Sequence, residues 1–471
     1  MPGRNAPDRR ITRTALAARR TGEALARAFG EFLFVPACLI LGFMLLAATT
    51  YVVDREHASW AAPLRAWLQS YVFADAQATA DLLGTIASGL ITITSITVSL
   101  LLIALQQSAS ALTHQVYDQF LRNWRNQLYF GVFVGVSLFT LMTLASVGPL
   151  NPVIGGSVAL LATIIALFLL LVLFYTTVDQ MRPVVIIGAI HDHALAAREA
   201  QRALLRRTRR RPALAAVHRV PLAVAQSGFV TRIDLERIEA AVRAAGGEAE
   251  VVLQVSIGSY LVYGETAADV HAADGATAHA VAAALTGVIV CQRKRDLATD
   301  PLDAIDELET IGWTAISSAQ SDADAGVLTI YHLRDILARW LCVPDERDAT
   351  PAPVVYVDNV VPRLLAAFES LAVSASESMQ HQSCAAILRT FAILFDRLGQ
   401  EERRRAEDIV MRMLAALGDH VLTAELEASI DAVIATFRQA GSRDGAEALE
   451  AARRQLARTV GRLGSRSTRA Q

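Results

Sequence analysis

The sequence predicts a mainly α-helical membrane protein: four transmembrane helices, then a cytoplasmic region with a small β-rich module and a helical bundle. Three observations predict it. Apolar residues make up 53% of the 471 and charged residues only 19%. The apolar excess falls in the first 180 residues, in four long runs without Asp, Glu, Lys or Arg. Beyond them the composition is that of an ordinary globular protein, with apolar residues in strand rhythm and then in helix rhythm.

A helix crosses the hydrocarbon core with about 20 apolar residues. The runs Phe32–Val53, Leu82–Leu105, Leu128–Val147 and Val153–Val178 reach that length. The first is too long, and starts too far from Met1, to read as a cleaved signal peptide. Arginine sets the expected orientation. The tail 1–30 carries Arg4, Arg9, Arg10, Arg13, Arg19, Arg20 and Arg27, whereas the loop 54–81 carries only Arg55 and Arg65. Arginines resume after the fourth run, so both termini are expected in the cytoplasm of a multi-pass inner-membrane protein. Lys294 is the only lysine, and the skew to Arg and Ala points to a GC-rich bacterial genome.

In the loop after the first run, Trp60, Leu64, Trp67 and Tyr71 recur at spacings of 4, 3 and 4. This is an aromatic face on a short helix, which either lies in the outer membrane interface or packs on the bundle. The second run carries a hydroxyl stripe, Thr85, Ser88, Thr92, Ser95 and Ser99, at spacings of 3, 4, 3 and 4, continued by Gln106. Those spacings place the side chains on one helix face. One reading is close helix packing with hydroxyls bonding across the bundle. The other is a water-filled path lined by several copies, the hydroxyls partly replacing ion hydration. The stretch Gln106–Gln127 lacks Pro and Gly, which predicts a helical extension with Val116, Phe120 and Trp124 as an apolar seam.

Residues 181–215 read as an Arg-rich juxtamembrane helix ended by Pro212. Arg202, Arg206, Arg207, Arg209, Arg210 and Arg211 would meet anionic lipid headgroups there, at about 1 kcal/mol per charge, beside their ordinary role as a positive-inside signal. His191 and His193 flank Asp192. On a helix their rings point about 200° apart, which suits shared metal binding poorly.

Residues 216–295 read as the β-rich module. A short charged helix, Leu235–Ala245, is followed by strand-like Glu250–Val255, a Gly258–Gly264 turn around Ser259–Tyr263, and a buried strand Thr286–Val290. The turn is similar to that between strands in biotinyl-like barrel domains, without the cofactor-bearing lysine, so a structural or docking role is expected. Residues 296–452 read as helices: Leu302–Ser317 behind Asp300 as N-cap, Ala325–Trp340, then after a polar linker Pro344–Pro353 the stretches Val360–Ser376, Cys384–Leu398, Glu402–Leu417 and Thr423–Gln439. Asp303, Asp306 and Glu307 read as a solvated helix face. The basic, Ser-rich 453–471 reads as a disordered tail. Cys38, Cys291, Cys342 and Cys384 form no CxxC pair and read as small buried hydrophobes.

These pieces resemble a bacterial family of predicted membrane proteins grouped as domain of unknown function twenty-two fifty-four. The likeness rests on LLGTIASGLITITSITVSLLLIALQQSASAL, FLRNWRNQLYFGVFVG, SGFVTRID and DPLDAIDELETIGWTAISSA, within about residues 30–345. Many members carry Ser-Pro-x-x-Asn-Asp-Pro after the Asp-Pro helix. In the corresponding stretch here, Ser317–Ala323, only Ser317 and Asp322 match. The resemblance implies the architecture; the family has no established activity, so it implies none.

A net charge of −2, with basic residues spread over the membrane flanks and not over a groove suited to nucleic acid, argues against a nucleic-acid role. No GxSxG, HExxH or GxxxxGK motif occurs, and no catalytic, metal or cofactor residues are assigned. The uncharged membrane runs count against proton coupling. The expected function is therefore non-enzymatic: an oligomeric pore or channel-like protein with a cytoplasmic regulatory domain. The alternative is a non-conducting anchor that binds a cytoplasmic partner.

Overall fold

The computed structural model describes residues 33–56, 62–73, 75–111, 124–148, 150–180, 182–214, 217–296, 298–317, 323–342, 348, 350–417 and 421–459. It divides into two compact units, residues 1–182 and 183–471.

The first unit consists of α1 Phe34–Arg55, α2 Ala62–Tyr71, α3 Ala76–Ala111, α4 Trp124–Ala145 and α5 Val153–Gln180. Among the described residues four stretches are long and apolar enough to cross a membrane: α1, the Ala76–Ser99 part of α3, α4 and α5. Each overlaps its expected run. α4 is the hub and packs on α1, α3 and α5. Its Tyr129, Phe133, Val136 and Phe139 are buried. α1 and α4 meet closely because Gly131 and Gly135 lie one turn apart. A methyl at Gly131 would sit 2.6 Å from Leu39, and one at Gly135 would overlap the Phe43 ring. Small residues at this spacing let membrane helices approach through backbone. By contrast, Phe168, Leu171, Phe174 and Tyr175 of α5 point outward. An outward apolar belt is what lipid solvates, and it would be costly in water.

At the end of the bundle where α1 stops and α5 starts, polar groups tie the helices together. The Asp54 side chain is only 1% exposed. It accepts the N–H groups of Ile154 (3.1 Å) and Gly155 (2.8 Å) in the first turn of α5, where the helix leaves donors without intrahelical partners. Arg65 of α2 donates to Asp54 Oδ1 at 3.2 Å and to the Val53 carbonyl at 3.3 Å. Thr79 of α3 donates to Asn151 Oδ1, and Asn151 Nδ2 to the Phe73 carbonyl.

The second unit opens with α6 Pro183–Arg207. Then come β1 His218–Ala223, β2 Gly228–Ile233, α7 Leu235–Ala244, β3 Ala249–Leu253, β4 Tyr260–Leu261, β5 Thr266–Ala272, α8 Gly275–Ala284 and β6 Ile289–Gln292. Two similar halves make this module, β2-α7-β3 and β5-α8-β6. Asp234 and Asp274 cap their helices by accepting from Arg237 N (3.1 Å) and Thr277 N (2.9 Å). One sheet has the order β1-β5-β3-β7, where β7 is Val354–Val355; the other has the order β4-β2-β6. β3 pairs with β7 in parallel and all other pairs are antiparallel. Each half therefore starts in one sheet and ends in the other.

α9 Pro301–Ser317, α10 Ala323–Cys342, α11 Val360–Glu377, α12 His381–Leu394, α13 Gln400–Leu417, α14 Ala424–Gln439 and α15 Arg443–Thr459 complete the unit. Their core holds Phe368 against Phe391 and Phe395 against Phe437.

The β-rich module is present, and it also holds a second helix, α8, and the strands β1 and β5. Four other expectations need correction. The Arg-rich helix ends at Arg207, before Pro212, because Arg209 joins a β-bridge to Val355. Within the 344–353 linker, residues 350–353 lead directly into β7, with Ala352 N–H bonding the Arg207 carbonyl at 2.8 Å. Residues 453–459 are helical, as part of α15, where the composition reads as tail. Cys38 and Cys342 are exposed thiols; Cys384 is buried and Cys291 half-buried. Val116, Phe120, Trp60, residues 318–322 of the Ser317–Ala323 loop and residues 460–471 lie outside the described residues.

Candidate functional site

α3 buries Leu83, Ala87 and Leu90 against the bundle. At 100° per residue the stripe Thr85, Ser88, Thr92, Ser95, Ser99 and Gln106 lies about 150° round the helix from that face. All six residues are exposed. The hydroxyls do not bond across the bundle. Thr85 donates to the Asp81 carbonyl, Ser88 to Thr85, Thr92 to Ser88 and Ser99 to Ser95, at 2.8–3.1 Å. Back-bonding of this kind satisfies each donor within the helix. It leaves oxygen lone pairs directed outward, so the stripe presents acceptors. Gly84 and Gly89 meet nothing within 4 Å, so this length of α3 is also narrow.

The six arginines do not form one patch. Arg207 pairs with Glu239 and Arg209 with the fully buried Glu250, both at 2.9 Å. Glu250 also accepts the Ala213 N–H at 2.9 Å, so it pins the segment after α6 onto β3. Arg202 pairs with Glu199 at 2.8 Å. Arg206, Arg210 and Arg211 are exposed. Arg207 and Arg209 thus hold the module together, which the sequence does not reveal because their partners lie 32 and 41 residues away.

Two titratable clusters lie in the second unit. In the first, His191 of α6 contacts Asp335 of α10 at 2.8 Å and Asp192 at 3.0 Å. His332 stands edge-on to His191, ring centres 4.8 Å apart. Burial, then the neighbouring His191, hold the His332 pKa below the ordinary imidazole range. Among the described residues no group of three or more His, Cys, Asp or Glu side chains is arranged to hold a metal.

The second cluster corrects the reading of Asp303, Asp306 and Glu307 as a solvated face. Glu307 is buried. Arg295 approaches Asp306 at 2.8 Å and Asp303 at 3.5 Å, and lies over the Phe229 ring at 5.1 Å. Arg363 of α11 pairs with Asp306 and Glu309. These charges latch the α/β module to the helices. Asp300 caps α9 by accepting the Leu302 N–H at 3.0 Å. Its carboxyl is fully buried against Gly258, and burial pushes its pKa up to about 6 although Arg295 pulls the other way.

Neither the curated proteins nor the solved structures contain a match to this chain. A family model described as predicted membrane protein, DUF2254, matches residues 30–384, well over half the length. With four apolar helices of spanning length inside the matched region, the chain belongs to this family of predicted membrane proteins of unknown function.

Proposed function

We propose that the protein is a non-enzymatic, oligomeric channel-like protein of the bacterial inner membrane, both termini cytoplasmic, with α3 of several copies facing a shared aqueous axis. One observation carries this reading: the stripe from Thr85 to Ser99 is turned away from the chain's own core. An oxygen-lined face of this kind suits water and partly dehydrated cations better than acyl chains. The arginine distribution supports the orientation. Exposed Arg206, Arg210 and Arg211 support contact with anionic headgroups, and the second unit would regulate the path.

A non-conducting anchor with a cytoplasmic partner is the second reading. The back-bonding of the stripe favours it, because a satisfied hydroxyl costs less in lipid. Ion or solute flux in liposomes separates the two. Replacing Ser95 and Ser99 by Leu abolishes flux under the first reading while leaving the melting curve in detergent unchanged. Absent flux in the parent protein, or full flux in the double variant, overturns the assignment of the stripe.

A further inference from the structure

We infer that α2 is an interfacial helix whose uncharged outer face, Leu64 and Trp67 foremost, seats in the boundary between lipid headgroups and acyl chains. Composition is the first reason. Among the described side chains of α2 the exposed ones are Ala62, Pro63, Leu64, Ala66, Trp67 and Ser70, none of them charged. Leu64 is 50% exposed and Trp67 58%. A helix facing water carries charge on its outer face. Arg65, the only charged residue of α2, turns inward instead, its side chain 12% exposed against Asp54.

Position is the second reason. Arg65 fastens α2 to the last turn of α1 through Asp54, whose carboxylate also caps the first turn of α5. Just beyond the other end of α2, Phe73 is fully buried, and a methyl at Gly156 of α5 would meet its ring at 2.8 Å. Both ends are thus fixed at the level where one spanning helix stops and another starts, which is the edge of the hydrocarbon layer. Trp is favoured at that level because its ring is apolar and its N–H seeks polar partners. Val52 in the last turn of α1 and Val72 just beyond α2 are exposed apolar side chains as well, so the flanks of the helix suit lipid, and the occupant is the bilayer and not a separate protein.

Brominated lipids test this. The full-length protein and its Trp67→Phe variant are reconstituted in phosphatidylcholine vesicles with bromine placed either near the headgroup or deep in the chains. The difference between the two proteins reports Trp67 alone. The expected result is about twofold loss of the Trp67 emission with shallow bromines, less with deep ones, and little loss to aqueous acrylamide. Strong acrylamide quenching would place α2 in water. Resistance to acrylamide and to both lipids would place it against a second copy. Either result overturns the inference, as does stronger quenching by deep bromines. The outcome is independent of whether the protein conducts.

Discussion

Asp300 and His332 show how burial sets single residues against the solvent, with opposite signs. The Asp300 carboxyl, pushed up to about 6 by burial, binds its proton more tightly in the folded protein than in the unfolded chain. Its favourable contribution is complete below its unfolded value of 3.8 and is lost as pH rises through about 6. At neutral pH the buried charge therefore costs stability, and Asp300→Asn, which keeps the cap oxygen, stabilises the fold at pH 7.5 by an amount on the order of 2 kcal/mol, read as a higher melting temperature. The gain vanishes by pH 4. For His332 the folded pKa is depressed, so the unfolded chain takes up the proton first and stability is lost as pH falls below 6.5. His332→Phe removes that loss. Melting curves of the two variants between pH 4 and 7.5 check both signs, and parallel shifts would contradict them.

At the scale of elements, the α1–α4 contact is the most exacting. A leucine at Gly135 has to displace the Phe43 ring, which costs about 1–3 kcal/mol. Gly42 meets nothing within 4 Å, so Gly42→Ala is expected to leave stability unchanged. Thermal unfolding in detergent compares the two, and equal losses would refute the contact. The four spans were legible because an uncharged run of that length has one favourable solvent. Other elements lack so direct a signal. α8 is Ala-rich and shows no apolar stripe. α15 is rich in charge, but its buried Ala446, Leu449 and Leu456 recur at helical spacing and mark a core face. Gly131 and Gly135 form a small-xxx-small pattern that is plain in the sequence. Asp54 reads as an ordinary flank residue, since its partners Ile154 and Gly155 lie 100 and 101 residues further along.

For the whole molecule, the unclaimed surface of the first unit makes the prediction. A four-helix unit is too small to enclose a water path alone, so the protein purified in mild detergent is expected to have a native mass of more than one chain. Ser95→Leu with Ser99→Leu alters the interaction between copies or the flux while leaving the secondary structure unchanged. A strictly monomeric particle would remove the channel reading and leave the anchor. The candidate stripe itself was fully visible in the sequence as a period of hydroxyls. What the sequence could not show is which way it faces, because that depends on where α4 and α5 pack.

The crossing of the two halves of the α/β module has a consequence for how that module comes apart. β2 needs β6, and β3 needs β5 and then β7, so each half must wait for strands of the other, and the two sheets are complete only at Gln292 and Val355. Neither β-α-β piece can survive as an independent fold. A protease cut between them would yield fragments that are unstructured apart and ordered only when mixed, and the domain melts in one step or not at all.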